Sequence, residues 1–539
     1  AARYGKSQIV AAIVATIAIV GSLPYISLQL KAVASALETI IGYNQTSGVA
    51  LQPVIGDVAL IVTLAMAAFA ILFGTRHTDA TEHQHGLMLA IATESIVKLV
   101  AFLIAGAAIT FWMFSPATLI ERAMQNPEAL RTIGHTPSFG NFVAMTLLSF
   151  CAIVLLPRQF HVGVVESVDE TELRRARWMF PLYLLAINLF VIPIALAGLV
   201  TFPFGRVASD MFLQALPLAN KWPLITIVVF IGGLSAATAM VIVECVALAI
   251  MVSNHIAVPL MLRQRGGFPA GTESVGRSVL QIRRVAIFCI MMMAYFYYRS
   301  SGDAELAAIG LLSFAAVAQF APAFFGGLIW RRATARGAVA GMLVGIAVWA
   351  YTLLLPSFAS AGLFPVEILQ QGPFGLSALR PQALFGGTLP PLLHGVLWSL
   401  GLNIAGYIVV SLLRPPSAIE RLQGDIFVPA PIAPIAPNFR RWRSAVTVQD
   451  LINTVGQYLG PERGRLALEA YAVDRGLALD PTAAADFELL RHAEHLIASA
   501  IGAASSRMVV SLLLRKRAVS AKAAIKLLDD AHAALHYNQ

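Results

Sequence analysis

Long runs of apolar residues, separated by short polar stretches, dominate the first 413 residues of the chain. A membrane-spanning helix needs about 20 consecutive apolar residues, and the runs reach about that length. The pattern predicts ten spans: 7–42, 53–74, 86–114, 139–157, 178–201, 222–262, 279–298, 304–330, 337–355 and 390–413. Two of the runs are long enough to tilt or to project beyond the bilayer. We therefore expect residues 1–413 to form an all-α, multi-pass membrane domain.

The fourth apolar run ends in "LLPRQFHVGV" (155–164), which places polar residues where a helix would still need apolar ones. Pro157 removes a backbone donor and breaks the helix. The freed carbonyls and polar side chains are tolerated at membrane depth only where they line a cavity. Arg158, Gln159 and His161 are therefore candidates for binding a solute or gating its inner exit. The alternative is an ordinary helix end facing the cytoplasm, with Arg158 as a topology signal.

Composition supports the membrane assignment. Hydrophobic residues make up 58% of the 539 residues and charged residues only 12%, with a mean hydropathy of +0.74. A soluble chain carries about twice that share of charged residues. The net charge of +9 reflects arginines in short loops rather than a nucleic-acid surface. The three cysteines lie inside apolar runs, which favours small buried hydrophobes over a disulfide framework or a metal site.

The basic residues also predict the orientation of the chain. They concentrate in alternate loops, which the positive-inside rule places in the cytoplasm. An even number of spans then puts both ends of the chain in the cytoplasm, in a protein of the inner (plasma) membrane. The basic residues of the expected cytoplasmic loops are Arg3, Lys6, Arg76, Arg158, Arg174, Arg175, Arg177, Arg263, Arg265, Arg277, Arg331, Arg332, Arg336 and Arg414.

The character of the chain changes after the last apolar run. The stretch "PAPIAPIAPN" (429–438) lies in a Pro-rich linker, 414–444, which is semi-rigid and has no core of its own. Residues 445–515 have helical apolar spacing and turn signals, typical of a small cytoplasmic helical bundle. Residues 516–539 begin a further signalling or linker helix that has no stop signal, and the chain opens without an initiator methionine. We therefore expect a fragment of a longer protein.

Ionisable residues inside the spans are candidates for function, because burying a charge in a membrane is costly. Glu94 and Lys98 have the spacing of a helical ion pair. Glu244, in "MVIVECVALA", has no partner within one turn. It would be protonated or face a cavity, as an ion-coupling residue, or else pack against a polar group of another helix. The histidines at 77–85 fit no zinc signature. The sequence contains no catalytic triad and no phosphate-binding loop, so it predicts neither an enzyme nor a metal site.

One segment resembles a known family. The stretch "SFAAVAQFAPAFFGGLIWRRATARGAVAGMLVG" (313–345) combines a Gly-rich apolar helix, Trp330, a short basic loop and the pairs Gly337-Ala338 and Ala340-Gly341. It is similar to the corresponding segment of the sodium/solute symporter family, and the likeness extends more weakly over 1–413. The resemblance implies the inverted-repeat fold shared with the leucine transporter. That fold has more helices than are predicted here, so the chain would lack the first ones.

The tail narrows the resemblance. A symporter-like domain followed by a Pro-rich spacer and "TVQDLINTVGQYLGPERG" (447–464) resembles sensor histidine kinases of the CbrA type. In these proteins a small helical STAC domain joins the transporter to PAS and kinase modules. The stretches "RHTDATEHQHG" (76–86) and "LLPRQFHVGVVES" (155–167) also look like that subgroup. The resemblance implies an amino acid, commonly histidine, as the solute. It also implies kinase modules in the parent chain and a response regulator downstream.

The same resemblance assigns candidate site residues. It makes the break at 155–164 the broken helix at the centre of the fold, which contributes to the solute site. The helix matching 222–262 holds sodium in the relatives. In "GGLSAATAMVIVE" (232–244), Ser235 and Thr238 offer hydroxyls. If "SNH" (253–255) is instead aligned with the family's Thr-Glu-Asp, the positions of the family's sodium ligands fall on Ala236, Ala239 and Met240. These five residues and Glu244 are the candidate ion-coupling residues, and the coupling ion is open between Na⁺ and H⁺.

Two functions are expected from these observations. The first is the transmembrane transporter or sensor region of a two-component histidine kinase, in which solute occupancy is relayed to the cytoplasmic bundle. The alternative is a plain secondary solute:cation symporter with a cytoplasmic tail. A membrane enzyme or a structural scaffold ranks behind both. The expected partners are a small solute and the lipid bilayer, and no nucleic acid is expected.

Overall fold

The structure, a computed structural model, describes residues 1–46, 57–74, 85–167, 170–202, 207–265, 274–300, 305–360, 363–428, 446–474 and 480–516. These residues are predominantly helical and contain no strand, so the predicted all-α class is confirmed. Most of the His-rich loop at 77–85, most of the Pro-rich linker and the segment 517–539 lie outside the described residues.

The helices follow one another with short connections. The membrane part contains α1 (Gln8–Thr46), α2 (Val58–Gly74), α3 (His85–Ala107), α4 (Pro116–Gln125), α5 (Pro127–Ile133), α6 (Phe139–Leu155), α7 (Pro157–Phe160), α8 (Glu170–Asn188), α9 (Val191–Thr201), α10 (Phe212–Ala219), α11 (Pro223–Val252), α12 (Val258–Arg265), α13 (Ser274–Ser300), α14 (Leu306–Val317), α15 (Ala321–Ile329), α16 (Ala335–Trp349), α17 (Leu355–Ser360), α18 (Glu367–Gln371) and α19 (Pro391–Leu413). The remaining helices are α20 (Ala418–Phe427), α21 (Val448–Leu459), α22 (Pro461–Asp474), α23 (Phe487–Ile501) and α24 (Ala503–Lys516).

Length and composition identify a multi-pass membrane protein. Within the described residues, eight helical segments are long and apolar enough to cross a membrane: Gln8–Ile41, Met88–Met113, Thr171–Thr201, Pro223–Leu262, Arg277–Ser300, Leu306–Ile329, Ala335–Ala359 and Pro391–Leu413. The bent pair Phe139–Leu155 and Pro157–Val165 makes a ninth if it is counted as one span, and α2 is a shorter apolar helix of 17 residues. Each of the ten predicted spans overlaps one of these segments.

Four spans contain a π-helical turn, which is wider than an α-helical turn and is frequent at functional sites. These turns are Ala108–Met113 after α3, His161–Val165 after α7, Ser253–Ala257 after α11 and Ala350–Leu354 after α16. The turns after α7 and α11 lie next to the polar stretches that the sequence marks at 155–164 and 253–255.

Small residues allow α16 and α19 to pack closely. Gly337, Gly341 and Gly345 lie four residues apart on one face of α16. A Cβ at Gly341 would lie 2.7 Å from the backbone oxygen of Asn403 on α19, and a Cβ at Gly345 would lie 2.2 Å from Gln319 Oε1. Because lipid tails provide no hydrophobic force between helices, such close backbone approach is a main source of packing energy in membranes. The Gly-rich pattern at 337–345 is therefore a packing stripe.

Helices α21–α24 form a small bundle that shares its core with the membrane part. Buried side chains of the bundle, such as Leu451 and Ile497, belong to the same apolar cluster as Val258 and Leu262 of α12 and Val279 of α13. The bundle is thus packed directly on the ends of α11–α13. The basic stretch "RRWR" (440–443), which precedes the bundle in the sequence and could anchor it at a lipid surface, lies outside the described residues.

Two local features differ from the sequence expectation. The stretch "DPTAAADFELLRHAEHLIASAIGAASSRMVVSLLLRKR" (480–517) has the apolar spacing of one helix. The structure divides it at Gly502, whose φ of +80° ends α23 in the left-handed conformation that favours glycine. The predicted linker 414–444 begins with α20, which is started by a capping box between Ser417 and Glu420. This helix packs against residues 2–4.

Candidate functional site

The predicted break in the fourth run lies where the sequence places it. Helix α6 ends at Leu155, and Leu156 has extended backbone angles, φ −58° and ψ 131°. Helix α7 then begins with Pro157 at its first position, and the two helices are bent by 48°. Proline is well suited to the first turn of a helix because its missing N–H would have no partner there anyway. The break therefore leaves the next N–H group, that of Arg158, in need of an acceptor.

Glu244 of α11 supplies that acceptor. Its Oε2 accepts a hydrogen bond of 3.1 Å from the backbone N–H of Arg158, and the residue is fully buried. Carboxylates are stabilised at helix N-termini because the N–H groups and the helix dipole both favour negative charge there. The sequence left two alternatives for Glu244: it faces a cavity, or it packs against a polar group of another helix. The hydrogen bond to Arg158 supports the second alternative.

The surroundings of this hydrogen bond are polar but incompletely paired. Arg158 Nε is buried without a hydrogen-bond partner, and Ser22 Oγ of α1 and Glu244 Oε1 lie side by side with no hydrogen bond of normal geometry. Buried polar groups are normally paired, so a cluster of incompletely paired ones is a candidate functional feature rather than a packing device.

A large apolar cavity lies beside the break. We call it the His255 cavity; its volume is about 470 Å³, within the range of small-molecule sites. Pro157 and His161 of the break contribute to its wall, and Phe160, Phe320 and Phe324 make much of it aromatic. His161 Nε2 lies 3.3 Å from Glu166 Oε1, and both side chains are largely buried. Arg158 and Gln159 are half-buried and are not among the residues that line it.

A second cavity lies further along α11. We call it the Lys98 cavity; its volume is about 260 Å³, and Lys98, Asp210 and Ala236 contribute to its wall. On α11, the last residue of this cavity is Ala236 and the first residue of the His255 cavity is Ala247. At 1.5 Å per residue these positions are about 16 Å apart. Glu244 lies between them.

The barrier between the two cavities is made by α1 and α11. Tyr25 Oη donates to Met240 Sδ at 3.3 Å, and Ser22 lies beside Glu244. Leu248 and Ile26 are completely buried in the same core. Helix α1 contains Pro24 in this region, and an internal proline removes a helical hydrogen bond. The barrier therefore combines a buried carboxyl, a deformable helix and close apolar packing.

The structure does not gather the candidate ion-coupling residues around one point. Thr238 Oγ1 donates to its own helix at Leu234 O (2.5 Å), and Ser235 Oγ donates to Glu94 O (3.5 Å). Ala236 lines the Lys98 cavity, Ala239 is buried, and Met240 accepts from Tyr25. A sodium ion requires several oxygens at one point, and the described side chains of this group do not provide them. The Glu94–Lys98 pair is also not formed; Lys98 Nζ lies 5.7 Å from the ring centre of Tyr183.

Two residues at the start of the chain belong to the site, although the sequence suggested only a topological role for the first. Arg3 donates to the carbonyls of Gly327 (2.7 Å) and Trp330 (2.9 Å), at the C-terminal end of α15, where a cation is favoured by the helix dipole. Tyr4 donates to Ala323 O at 2.6 Å. Both residues line the His255 cavity.

His255 connects the cavity to the α21–α24 bundle. It lies in the π-helical turn after α11 and lines the cavity. On its other side a Cβ at Gly502, between α23 and α24, would lie 3.2 Å from His255 Cε1. From the sequence alone, His255 has no predicted role beyond the alignment of "SNH" (253–255) with the family. The signal that could have found this residue is a polar triplet at the end of a 30-residue apolar helix.

Polar contacts fix the bundle against the membrane part around His255. Ser505 Oγ donates to Asn254 O at 2.5 Å, and Arg283 Nη2 of α13 donates to Ala500 O of α23 at 3.4 Å. Lys6 Nζ forms a 3.0 Å ion pair with Glu494 Oε1, and the two side chains are only 15% and 7% exposed. Lys6 has a left-handed backbone, φ +52°, which is strained for any residue other than glycine or asparagine. The bundle is therefore held by specific, partly strained contacts and not by apolar area alone.

Comparisons with known proteins identify no relative. The chain matches no protein-family model and no curated protein. Within the described residues, no group of three or more His, Cys, Asp or Glu side chains could hold a metal ion. The two cavities, the buried carboxyl between them and the docked bundle are the features from which a function can be inferred.

Proposed function

We propose that this protein is the transporter-like sensor region of a two-component histidine kinase, which binds an amino acid in the His255 cavity and relays its occupancy to the α21–α24 bundle. The observation that carries the proposal is the position of His255, whose side chain lies both in the cavity wall and against the bundle at Gly502. A solute that displaces His255 must therefore change a contact of the bundle. The leucine-transporter-like inverted repeat is part of this proposal.

The lining of the His255 cavity favours an amino acid with a ring. Phe160, Phe320 and Phe324 offer aromatic faces, which stack on flat rings and attract cations. The His161–Glu166 pair provides one acidic and one imidazole group at the edge of the cavity. A zwitterion with an imidazole or aromatic side chain can use all of these groups. Histidine, which the family resemblance implies, belongs to this class.

The arrangement of the two cavities is suited to alternating access. Each lies on a different part of α11, and the barrier between them contains Glu244. Glu244 also accepts a hydrogen bond from the first free N–H of α7. Protonation or ion binding at its carboxyl would therefore weaken this bond and allow α7 to move, so that ion binding and movement of the broken span would be coupled.

Protons are the better candidate for the coupling ion. A fully buried carboxyl can bind a proton without any further ligand, and Glu244 is such a group. Sodium would need several oxygen ligands around one point, and Ala236, Ala239 and Met240 offer no side-chain oxygen.

The second candidate function is a plain secondary symporter with a cytoplasmic tail. The two cavities and the buried carboxyl fit it equally well. The docked bundle favours the sensor, because a tail without a signalling role has no need for a buried ion pair such as Lys6–Glu494 or for a contact with the cavity wall.

The proposal is tested with the full-length protein in proteoliposomes, by measuring radiolabelled histidine uptake and autophosphorylation in the same preparation. Replacement of His161 by Ala should weaken solute binding, whereas Gln159→Ala, in the same turn but outside the cavity lining, should leave it unchanged. Deletion of 446–516 should abolish the effect of solute on phosphorylation and leave uptake intact. Solute-dependent phosphorylation that survives this deletion would eliminate the relay.

The orientation is part of the same proposal. The basic loops favour a cytoplasmic position for both ends of the chain. A reporter fused after Gln539 should be active only in the cytoplasm, and an exported reporter would overturn the assignment.

A further inference from the structure

The loop between α17 and α19 contains two turns of the same unusual kind. In Pro373–Leu376 the central residues are Phe374 (φ 57°, ψ 21°) and Gly375 (φ 75°), and Leu376 N–H donates to Pro373 O at 3.2 Å. In Leu384–Gly387 they are Phe385 (φ 54°, ψ 29°) and Gly386 (φ 77°), and Gly387 N–H donates to Leu384 O at 3.1 Å. These are the angles of a type I′ turn, whose first central position is usually Gly, Asn or Asp.

The two phenylalanines gain little from the protein in return for this strain. A bulky residue in the left-handed region is a genuine outlier and persists only where something compensates it. Phe374 is 99% exposed and Phe385 is 71% exposed. Phe385 has one ring neighbour, Trp398 of α19, with centroids 5.5 Å apart. Most of the compensation must therefore come from outside the chain.

The loop is held close to the membrane spans on both sides. Tyr351, in the span 335–359, donates to Leu379 O. The Leu384 N–H donates to His394 Nε2 of α19 at 3.0 Å. The loop thus cannot move far from the helices whose exposed apolar faces contact lipid.

The exposed surface of the loop is apolar. Its large exposed hydrophobic residues are Leu363, Phe364, Val366, Phe374, Leu376, Leu379, Phe385 and Leu389. Only Glu367 and Arg380 are charged between 356 and 390. Many exposed apolar residues in one loop are typical of contact with a membrane or another protein. The Phe385 ring of the loop lies beside Trp398 of the membrane helix α19. This favours the membrane as the partner, because aromatic residues are typical of the membrane–water interface.

We propose that residues 363–389 form an interfacial platform on the leaflet at their own side of the bilayer, with the Phe374 and Phe385 rings inserted at the boundary between headgroups and acyl chains. The type I′ turns leave the Phe374 and Phe385 rings exposed at the surface of the loop. This platform is independent of the proposed transport and sensing function. It would fix the ends of α16–α17 and α19 relative to the bilayer.

Nitroxide labels on the full-length protein in phosphatidylcholine/phosphatidylglycerol vesicles test this proposal. Single cysteines are introduced at Phe374, at Phe69 on the lipid-exposed face of α2, and at exposed Gln449 in the bundle, in a Cys289→Ser background. A label at 374 should be relaxed more by oxygen than by a water-soluble nickel complex, as at 69. A label at 374 that responds like the one at 449 would show that the loop faces water, and would overturn the proposal in favour of a protein partner or none.

A second variant separates insertion from the label itself. Asn tolerates the left-handed conformation, so Phe374→Asn combined with Phe385→Asn should keep both turns while removing both rings. The label is placed at Leu376, and the ratio of its relaxation by oxygen to its relaxation by nickel is compared between the wild type and the double variant. In the double variant this ratio should fall by about tenfold, because the equilibrium between the inserted and the water-exposed position of the loop shifts towards water. An unchanged ratio would show that the rings do not hold the loop in the bilayer.

Discussion

The backbone N–H of Arg158 and the side chain of Glu244 are joined by a 3.1 Å hydrogen bond between residues that are 86 positions apart in the sequence. The break in the fourth span and the carboxyl buried in α11 are therefore one structural unit. A substitution at either residue acts on both the barrier between the cavities and the position of α7.

Replacement of Glu244 by Gln should uncouple uptake from the proton gradient without unfolding the protein. The Gln amide oxygen can still accept from Arg158 N–H, but the amide does not titrate. A gradient of one pH unit supports about tenfold accumulation at one proton per solute, and this accumulation should disappear while exchange of solute persists. The measurement is histidine uptake into proteoliposomes with an imposed pH gradient.

The control for this variant is Glu244→Leu, which removes the acceptor. It leaves a buried N–H without a partner, which costs about 1–3 kcal/mol, so lower expression and lower thermal stability are expected. If Glu244→Gln accumulates solute as the wild type does, Glu244 is a capping group and not the coupling group.

Replacement of Gly502 by Ala should change solute affinity from outside the cavity. The new Cβ would lie 3.2 Å from His255 Cε1, so the imidazole or the bundle has to shift. We expect solute binding to weaken by about five- to tenfold, the coupling of about 1 kcal/mol that is usual between linked sites. Binding is measured by scintillation proximity with radiolabelled histidine.

Gly460→Ala is the matched control for Gly502. Gly460 also ends a helix of the bundle in a positive-φ conformation, +96°, but a Cβ there would meet nothing within 4 Å. Both variants should lose bundle stability through backbone strain, by about 1–3 kcal/mol, and only Gly502→Ala should affect solute binding. If both variants weaken solute binding equally, the effect comes from backbone strain in the bundle and not from the contact between Gly502 and His255.

Replacement of Glu494 by Gln should loosen the bundle. Lys6 and Glu494 are both mostly buried, and breaking a buried ion pair by removing one partner costs about 3 kcal/mol. Hydrogen exchange of α23 should therefore become faster in the full-length protein. The exposed pair Arg465–Glu469, 66% and 41% exposed, is the internal comparison, and Glu469→Gln should leave exchange unchanged. Equally small effects at 494 and 469 would show that Lys6 does not hold the bundle.

The bundle should become less stable at acidic pH because of His492. Burial, with a smaller contribution from nearby His495, lowers the pKa of His492 below its ordinary value. The unfolded imidazole, with a pKa of about 6.5, then binds a proton before the folded one does. The stabilising contribution is complete above that pH and is lost as pH falls through the lower folded pKa.

The measurement is hydrogen exchange of 487–501 between pH 7 and pH 5, corrected for intrinsic rates. His492→Phe should reduce the pH-dependent loss of protection, since a Phe ring can keep the parallel stack with Tyr471, now 4.0 Å between centroids, without titrating. A variant whose pH profile matches the wild type would assign the acid sensitivity to other groups of the bundle.

The elements predicted correctly from the sequence are those that local chemistry determines. The spans follow from apolar length, the break follows from Pro157, and the start of α21 follows from Thr447, whose side chain accepts from Asp450 N–H at 3.2 Å. The break and the start of α21 each depend on residues within four positions of one another, and each span depends on one continuous apolar run. The linker helix α20 was missed although its capping box, Ser417 and Glu420, is equally local.

The site itself depends on contacts that no local pattern contains. The partner of Glu244 is 86 residues away, and the partner of Lys6 is 488 residues away. The hydroxyl of Thr238, a candidate ion ligand, donates to the carbonyl four residues earlier, as Ser and Thr side chains in helices readily do. The sequence pattern does not show which other oxygens lie around it. The role of His255 depends on Gly502, which becomes its neighbour only when the bundle folds back onto α11.

The π-helical turn Ser253–Ala257 has a consequence for how α11 and α12 are phased. A π turn accommodates one extra residue, so the residues that follow it are rotated by about 100° relative to an uninterrupted α-helix. The extra residue in this turn therefore determines which side of α12 faces the bundle, and with it the direction in which Val258 and Leu262 point. If the turn were to relax to α-helical winding, the docking face would swing around the helix axis while the cavity-lining residues before it stayed in place. A one-residue change of helical register is thus a built-in rotary step between the membrane core and the bundle.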